Sequence, residues 1–217
     1  MTSKRRGGIQ LSAYPFINFD IVLDVEFIFQ QEIDEDVLNQ LKSLIYTLGP
    51  PPIDIVIVGS EETKLEIEDV VVLKISTPLD RRRILKEVAT AHAVADPQLI
   101  DIWGTPPDIV DPLALELSIA LFKRLVDTLV AKVDYKLVLE RDYLEVIEGE
   151  TVAYTLVRTF AEDISISLAM ANHTEKSLRL LTTISTHPIY PLYRRLWDFA
   201  VSNFKFLPIY NWLQLIQ

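Results

Sequence analysis

The stretch Ile53–Ser76, IDIVIVGSEETKLEIEDVVVLKIS, decides how this chain folds. Its two apolar runs, Ile53–Val58 and Val70–Ile75, are short and bounded by turn residues, so each predicts a buried strand. Both are apolar on both faces, as strands covered by helices on each side must be. They are therefore expected as adjacent inner strands of a mixed sheet within residues 35–110. The connection between them is a short loop that opens with Gly59-Ser60 and fills with carboxylates. Either it is an acidic, solvated hairpin connection in which Gly59 serves the turn, or it is the shell of a metal and nucleotide site.

Upstream, apolar residues recur at every second position from Ile17 to Phe29, which predicts a long strand with one buried face. DEDVLNQLKSLIYTLG then places Val37, Leu38, Leu41, Leu44, Ile45 and Leu48 on one helical stripe. Asp34 is its N-cap and Gly49 its stop, with three prolines beyond. Downstream, PLDRRRILKEVATAHAVA predicts a helix, LIDIW a third short strand and GTPPDIVDP a loop. Asp111-Pro112 is an N-cap followed by proline at the first helical position.

Beyond that point the character changes. LALELSIALFKRLVDTLVAKV, YKLVLERDYLEVI, TVAYTLVRTFAEDISISLAMAN, TEKSLRLLTTIS and YPLYRRLWDFAVSNF all predict helices, with breaks at Gly149, His173-Thr174 and His187-Pro188. The fold class is α+β, with an α/β domain over 1–112 and an all-α domain over 113–217.

Composition bounds the function. At 217 residues with 49% hydrophobic content, the chain can bury a sizeable core in one large or two small domains. A net charge of −10 opposes broad binding to nucleic acid. With no cysteine there is no disulfide, thiol nucleophile or cysteine-bound zinc. No apolar stretch is long enough for a membrane span. The basic MTSKRRGG start is followed by Asp20 and Asp24 where a signal peptide needs an unbroken apolar stretch. A cytoplasmic, soluble protein is expected.

The order helix, strand ending in Gly59-Ser60, acidic connection, strand, helix, strand and Pro-Pro loop resembles the minimal nucleotidyltransferase domain, a small relative of the polymerase beta family. The resemblance implies that Gly59 and Ser60 approach nucleotide phosphates and that a pair of carboxylates with a third acid holds Mg²⁺. Aligned on the apolar triplet, Asp69 takes the second position of the pair and Ile67 the first. A slipped alignment pairs Glu66 with Glu68. Asp101 is the acid in register in the third strand. Alignment on the Pro-Pro segment makes it the outer acid and puts Gln98 at the catalytic place. The candidate acids are thus Glu66, Glu68, Asp69 and Asp101, with Glu66, Glu68 and Asp101 as the metal set if the site is active.

The helical half resembles HEPN domains, helical bundles that often partner or fuse with this nucleotidyltransferase domain, toxin–antitoxin pairs among them. RDYLEVIEGETVAYTLVRTFAEDISISLAMANH matches the early helices, with Glu162 as their glutamate, and YPLYRRLWDFAVSNFKFLPIYNWLQLI matches the last pair. Ribonuclease members carry Arg-x4-His, commonly extended to His-x-Tyr. Aligned on Asn203, those places hold Ser202, Leu207 and Ile209, so RNA cleavage is not expected.

Other features have plainer readings. His92, His173 and His187 suit helix faces and ends better than catalysis or zinc binding. Arg81-Arg82-Arg83 begins a helix and fans around its axis, and Arg194-Arg195 is similar. Of the aromatics Trp197, Phe199, Phe204, Phe206, Tyr210 and Trp212, most belong in a core. Phe204, Phe206, Leu207, Ile209 and Trp212 are also expected to build a homodimer surface.

Three functions remain open. One is a catalytically silent fusion acting as a binding or scaffold module, with no cofactor and with a nucleotide or RNA as possible ligand. The second is an active Mg²⁺-dependent nucleotidyltransferase acting on protein or RNA. The third is an unrelated α/β plus α protein.

Overall fold

The computed structural model describes residues 25–28, 34–67, 70–95, 111–138, 149–203 and 209–216. The architecture is α+β, a small mixed sheet followed mostly by helices. The strands are β1 (Val25–Ile28), β2 (Ile55–Gly59), β3 (Lys64–Ile67) and β4 (Val71–Ile75), in the sheet order β1-β2-β4-β3. β2 and β4 are the adjacent central strands, as their apolar runs predict.

Their connection is more than a loop. β2 runs parallel to both β1 and β4, while β3 runs antiparallel to β4 on its outer side. Parallel neighbours cannot be joined by a tight turn. The chain therefore leaves β2, returns as β3 one place further out, and fills the gap with β4. Four of the residues expected in an acidic loop, Lys64 to Ile67, are thus strand residues. Charged alternation along a four-residue edge strand resembles a solvated loop, and that hid β3 in the sequence.

Helix α1 (Glu35–Ile45) begins where predicted, with the Asp34 carboxylate accepting the Asp36 amide hydrogen at 2.8 Å. A 3-10 turn over Tyr46–Leu48 runs into Gly49 at φ 98°, a conformation that favours glycine, and three prolines prevent the helix resuming. Helix α2 (Arg81–Val94) opens on Asp80, whose side chain accepts from Arg83 N at 3.1 Å. Leu41 and Ile45 of α1 and Ile84, Val88 and Ala91 of α2 pack on Ile55, Ile57, Leu73 and Ile75. By alternation these four strand residues share one face.

The other face departs from expectation. Val56, Val58 and Val72 are only half-buried and Ile28 is 46% exposed. Among the described residues, helices cover the sheet from one side. The register explains how this is tolerated, since Lys64, Lys74 and Glu66 share the uncovered face and keep it wet.

The helical half starts at α3 (Pro112–Asp134), with Asp111 accepting from Leu113 N at 2.9 Å. A 3-10 turn, Tyr135–Val138, follows. After Gly149 at φ 85° come α4 (Val152–Glu162), α5 (Ser165–Met170), α6 (Thr174–Thr183), α7 (Tyr190–Asn203) and α8 (Ile209–Ile216). The single helix expected through 151–172 is broken at Asp163, whose carboxylate accepts the Ser165 amide hydrogen at 2.9 Å. Leu117, Leu121 and Leu125 of α3 join Leu156, Phe160, Ile166, Leu168 and Trp212 in the larger core. Ala89 and Ala93 of α2 belong to that core as well. α2 therefore faces the sheet with one side and α3 with the other. The expected boundary between residues 112 and 113 falls in the first turn of α3. Most of the strand expected over 17–29, the LIDIW strand, the Pro-Pro loop and the LERDYLEVI helix lie outside the described residues.

Candidate functional site

In open sheets with parallel strands, ligands gather at the carboxyl ends of those strands. Here that edge carries Gly59 and Ser60 after β2 and Ser76 after β4. Gly59 is exposed and pairs with Ile75 as the last residue of its strand. The left-handed glycines among the described residues are Gly49 and Gly149, so Gly59 is not a left-handed turn residue. The Ser60 amide donates to Ile75 O at 2.8 Å, and its hydroxyl accepts from Glu62 N at 3.5 Å. Thr63, 4% exposed, lies 2.9 Å from the Ser76 hydroxyl and accepts the Ser76 amide hydrogen at 3.1 Å. These groups stitch β3 to the end of β4. Arg81 of the adjoining helix lies 3.7 Å from Asp134.

Glu66 is the candidate acid that falls within the described residues. Its carboxylate is 2.7 Å from the Lys74 ammonium and 2.9 Å from that of Lys64, and Lys64 also reaches Glu62 at 2.8 Å. The hydrogen bond from Lys74, then that from Lys64, holds the Glu66 carboxyl below the ordinary carboxylate range. Lys64 likewise lowers Glu62, and the two glutamates push the Lys64 ammonium up. Mg²⁺ needs hard oxygens in a near-octahedral shell. An oxygen already flanked by two ammonium groups, each repelling a dication, does not fit that role. Ile67, at the first acid position of the unslipped alignment, is 46% exposed. Glu68, Asp69 and Asp101 lie outside the described residues. Among the described residues no group of three or more histidine or carboxylate side chains is placed to hold a metal ion.

The histidines take structural positions. His173 Nε2 lies 3.1 Å from Ala131 O at the end of α3, with its ring 4.9 Å from that of Tyr135. His187 Nδ1 accepts the Ile189 amide hydrogen at 3.3 Å and braces the turn into α7. His92 is half-buried on α2, its Nε2 has no partner among the described residues, and burial lowers its pKa. At the HEPN motif places, Ser202 is exposed on α7, Leu207 lies outside the described residues and Ile209 begins α8. Glu162 pairs with Lys123 at 2.7 Å.

One polar cluster escaped the sequence reading. Arg124, fully buried on α3, donates to Asp163 O and to the Asp127 carboxylate, each at 2.6 Å. The Asp163 carboxylate also accepts from Tyr193 Oη at 2.6 Å and from the Ser165 hydroxyl, to which Trp197 Nε1 donates at 2.8 Å. Burial, then the Asp163 charge, pushes the Tyr193 phenol well above its ordinary pKa. Arg124 and Asp127 at i, i+3 inside the apolar run LFKRLVDTLV were the available signal. Paired charges among core residues mark burial. The cluster ties α3, α5 and α7 together. Beside it a cleft of about 340 Å³, lined by Thr159, His187, Tyr190 and Tyr193 among others, opens at the turn between α6 and α7.

Of the C-terminal aromatics, Trp197 and Trp212 are core residues and Phe199 packs half-buried against that core. Trp212 is fully buried, 5.0 Å from the Phe199 ring and 5.8 Å from Phe160, and Trp197 is 6% exposed. Trp212 therefore cannot form part of the expected homodimer surface. Phe204, Phe206 and Leu207 lie outside the described residues.

No family model, curated protein or solved structure matches the chain. Among the described residues no helix is long and apolar enough to cross a membrane.

Proposed function

We propose that the chain is a catalytically silent binding or scaffold module, with a nucleotidyltransferase-like sheet half and a HEPN-like helical half. The observation that carries this reading is the double lysine clamp on Glu66, at 2.7 and 2.9 Å. An acid that must hold a dication cannot also balance two cations, so the metal set Glu66, Glu68 and Asp101 loses a member. The histidines support the same view, because His173 and His187 are engaged with backbone groups rather than poised beside a nucleophile or a phosphate site. The half-buried Ser60 after β2 and Ser76 after β4 make the strand ends the ligand-facing edge of the sheet half.

The test is an incorporation and cleavage assay on the full chain. With α-phosphate-labelled nucleoside triphosphates and Mg²⁺ or Mn²⁺, no label should pass to protein or RNA, and single-stranded RNA should stay intact. Transfer abolished by Asp101→Asn, or cleavage abolished by His173→Ala or His187→Ala, would overturn the proposal.

A further inference from the structure

We draw no further inference here: the strongest candidate, the sheet face left uncovered among the described residues, where Val56, Val58 and Val72 lie half-buried beside Lys64, Glu66 and Lys74, carries none because nothing in the structure shows what covers it.

Discussion

Arg124 is the residue on which the helical half depends most visibly. Its guanidinium has no exposure and bonds both Asp127 and the Asp163 carbonyl. Removing one partner of such a pair leaves an uncompensated buried charge, which costs about 3–5 kcal/mol. Arg124→Met should therefore lower the urea-unfolding free energy by about 3 kcal/mol or more, and an unchanged midpoint would mean the cluster is not buried as described. His92 offers a pH test with a defined sign. Its folded pKa lies below the ordinary 6.5 because burial disfavours the imidazolium. The unfolded chain then binds the proton more readily, so this contribution is complete above about pH 6.5 and is lost as pH falls toward the lowered value. His92→Gln should flatten the stability profile between roughly pH 7 and 5. A profile identical to wild type would remove His92 as its source. Among single residues, the caps Asp34 and Asp111 are legible because capping is local chemistry. The Asp163 cluster is not, since its partners lie up to 39 residues apart.

At the scale of elements, long periodic segments announce themselves and short charged ones do not. α1 and α3 begin where their N-caps predict, α2 begins at the expected Arg81, and β2 and β4 follow from their apolar runs. β3 carries a charge at alternate positions and has little apolar signal of its own. Its place is set by backbone pairing to β4 and by side chains from elsewhere, with Glu87 of α2 accepting the Leu65 amide hydrogen at 3.2 Å. The clamp of Glu62 and Glu66 with Lys64 and Lys74 holds its outer face. Because both carboxyls are lowered in the fold, their support is present above the ordinary carboxylate value of 4.5 and fades as pH falls through the lowered values. Glu87 acts in the opposite sense, since burial raises its pKa and its contribution fades as pH rises through that raised value. Amide exchange corrected for intrinsic rate should show β3 losing protection ahead of β2 and β4 as pH falls below the ordinary carboxylate value of 4.5. Equal loss in the three strands would mean that the clamp does not support β3.

At the scale of the whole molecule, the candidate site was legible only as a set of residue types. Gly59, Ser60 and Glu66 sit near the carboxyl ends of the strands or on the edge strand, but their partners could not be read from spacing. Lys64 pairs with Glu66 because β3 is a strand, where residues two apart share a face. Lys74 reaches it because β3 lies beside β4. The sharing of α2 between the sheet core and the helical core was equally hidden, since Ala89 and Ala93, the residues that face the helical core, are small and weakly apolar beside Ile84 and Val88. The clamp on Glu66 is the premise of the proposed silent module, and metal-dependent nucleotide binding is its most direct test. Melting of the full chain should be followed with Mg²⁺ alone and with Mg²⁺ plus ATP over a wide concentration range. Bound ligand stabilises the folded state by mass action, about 2.7 kcal/mol at a hundredfold excess over Kd. The expected result is the same melting temperature with Mg²⁺ alone as without it, and no saturable rise on adding ATP that depends on the metal. A saturable, Mg²⁺-dependent rise that Asp101→Asn abolishes would contradict the account and assign these carboxylates to a working nucleotidyltransferase site.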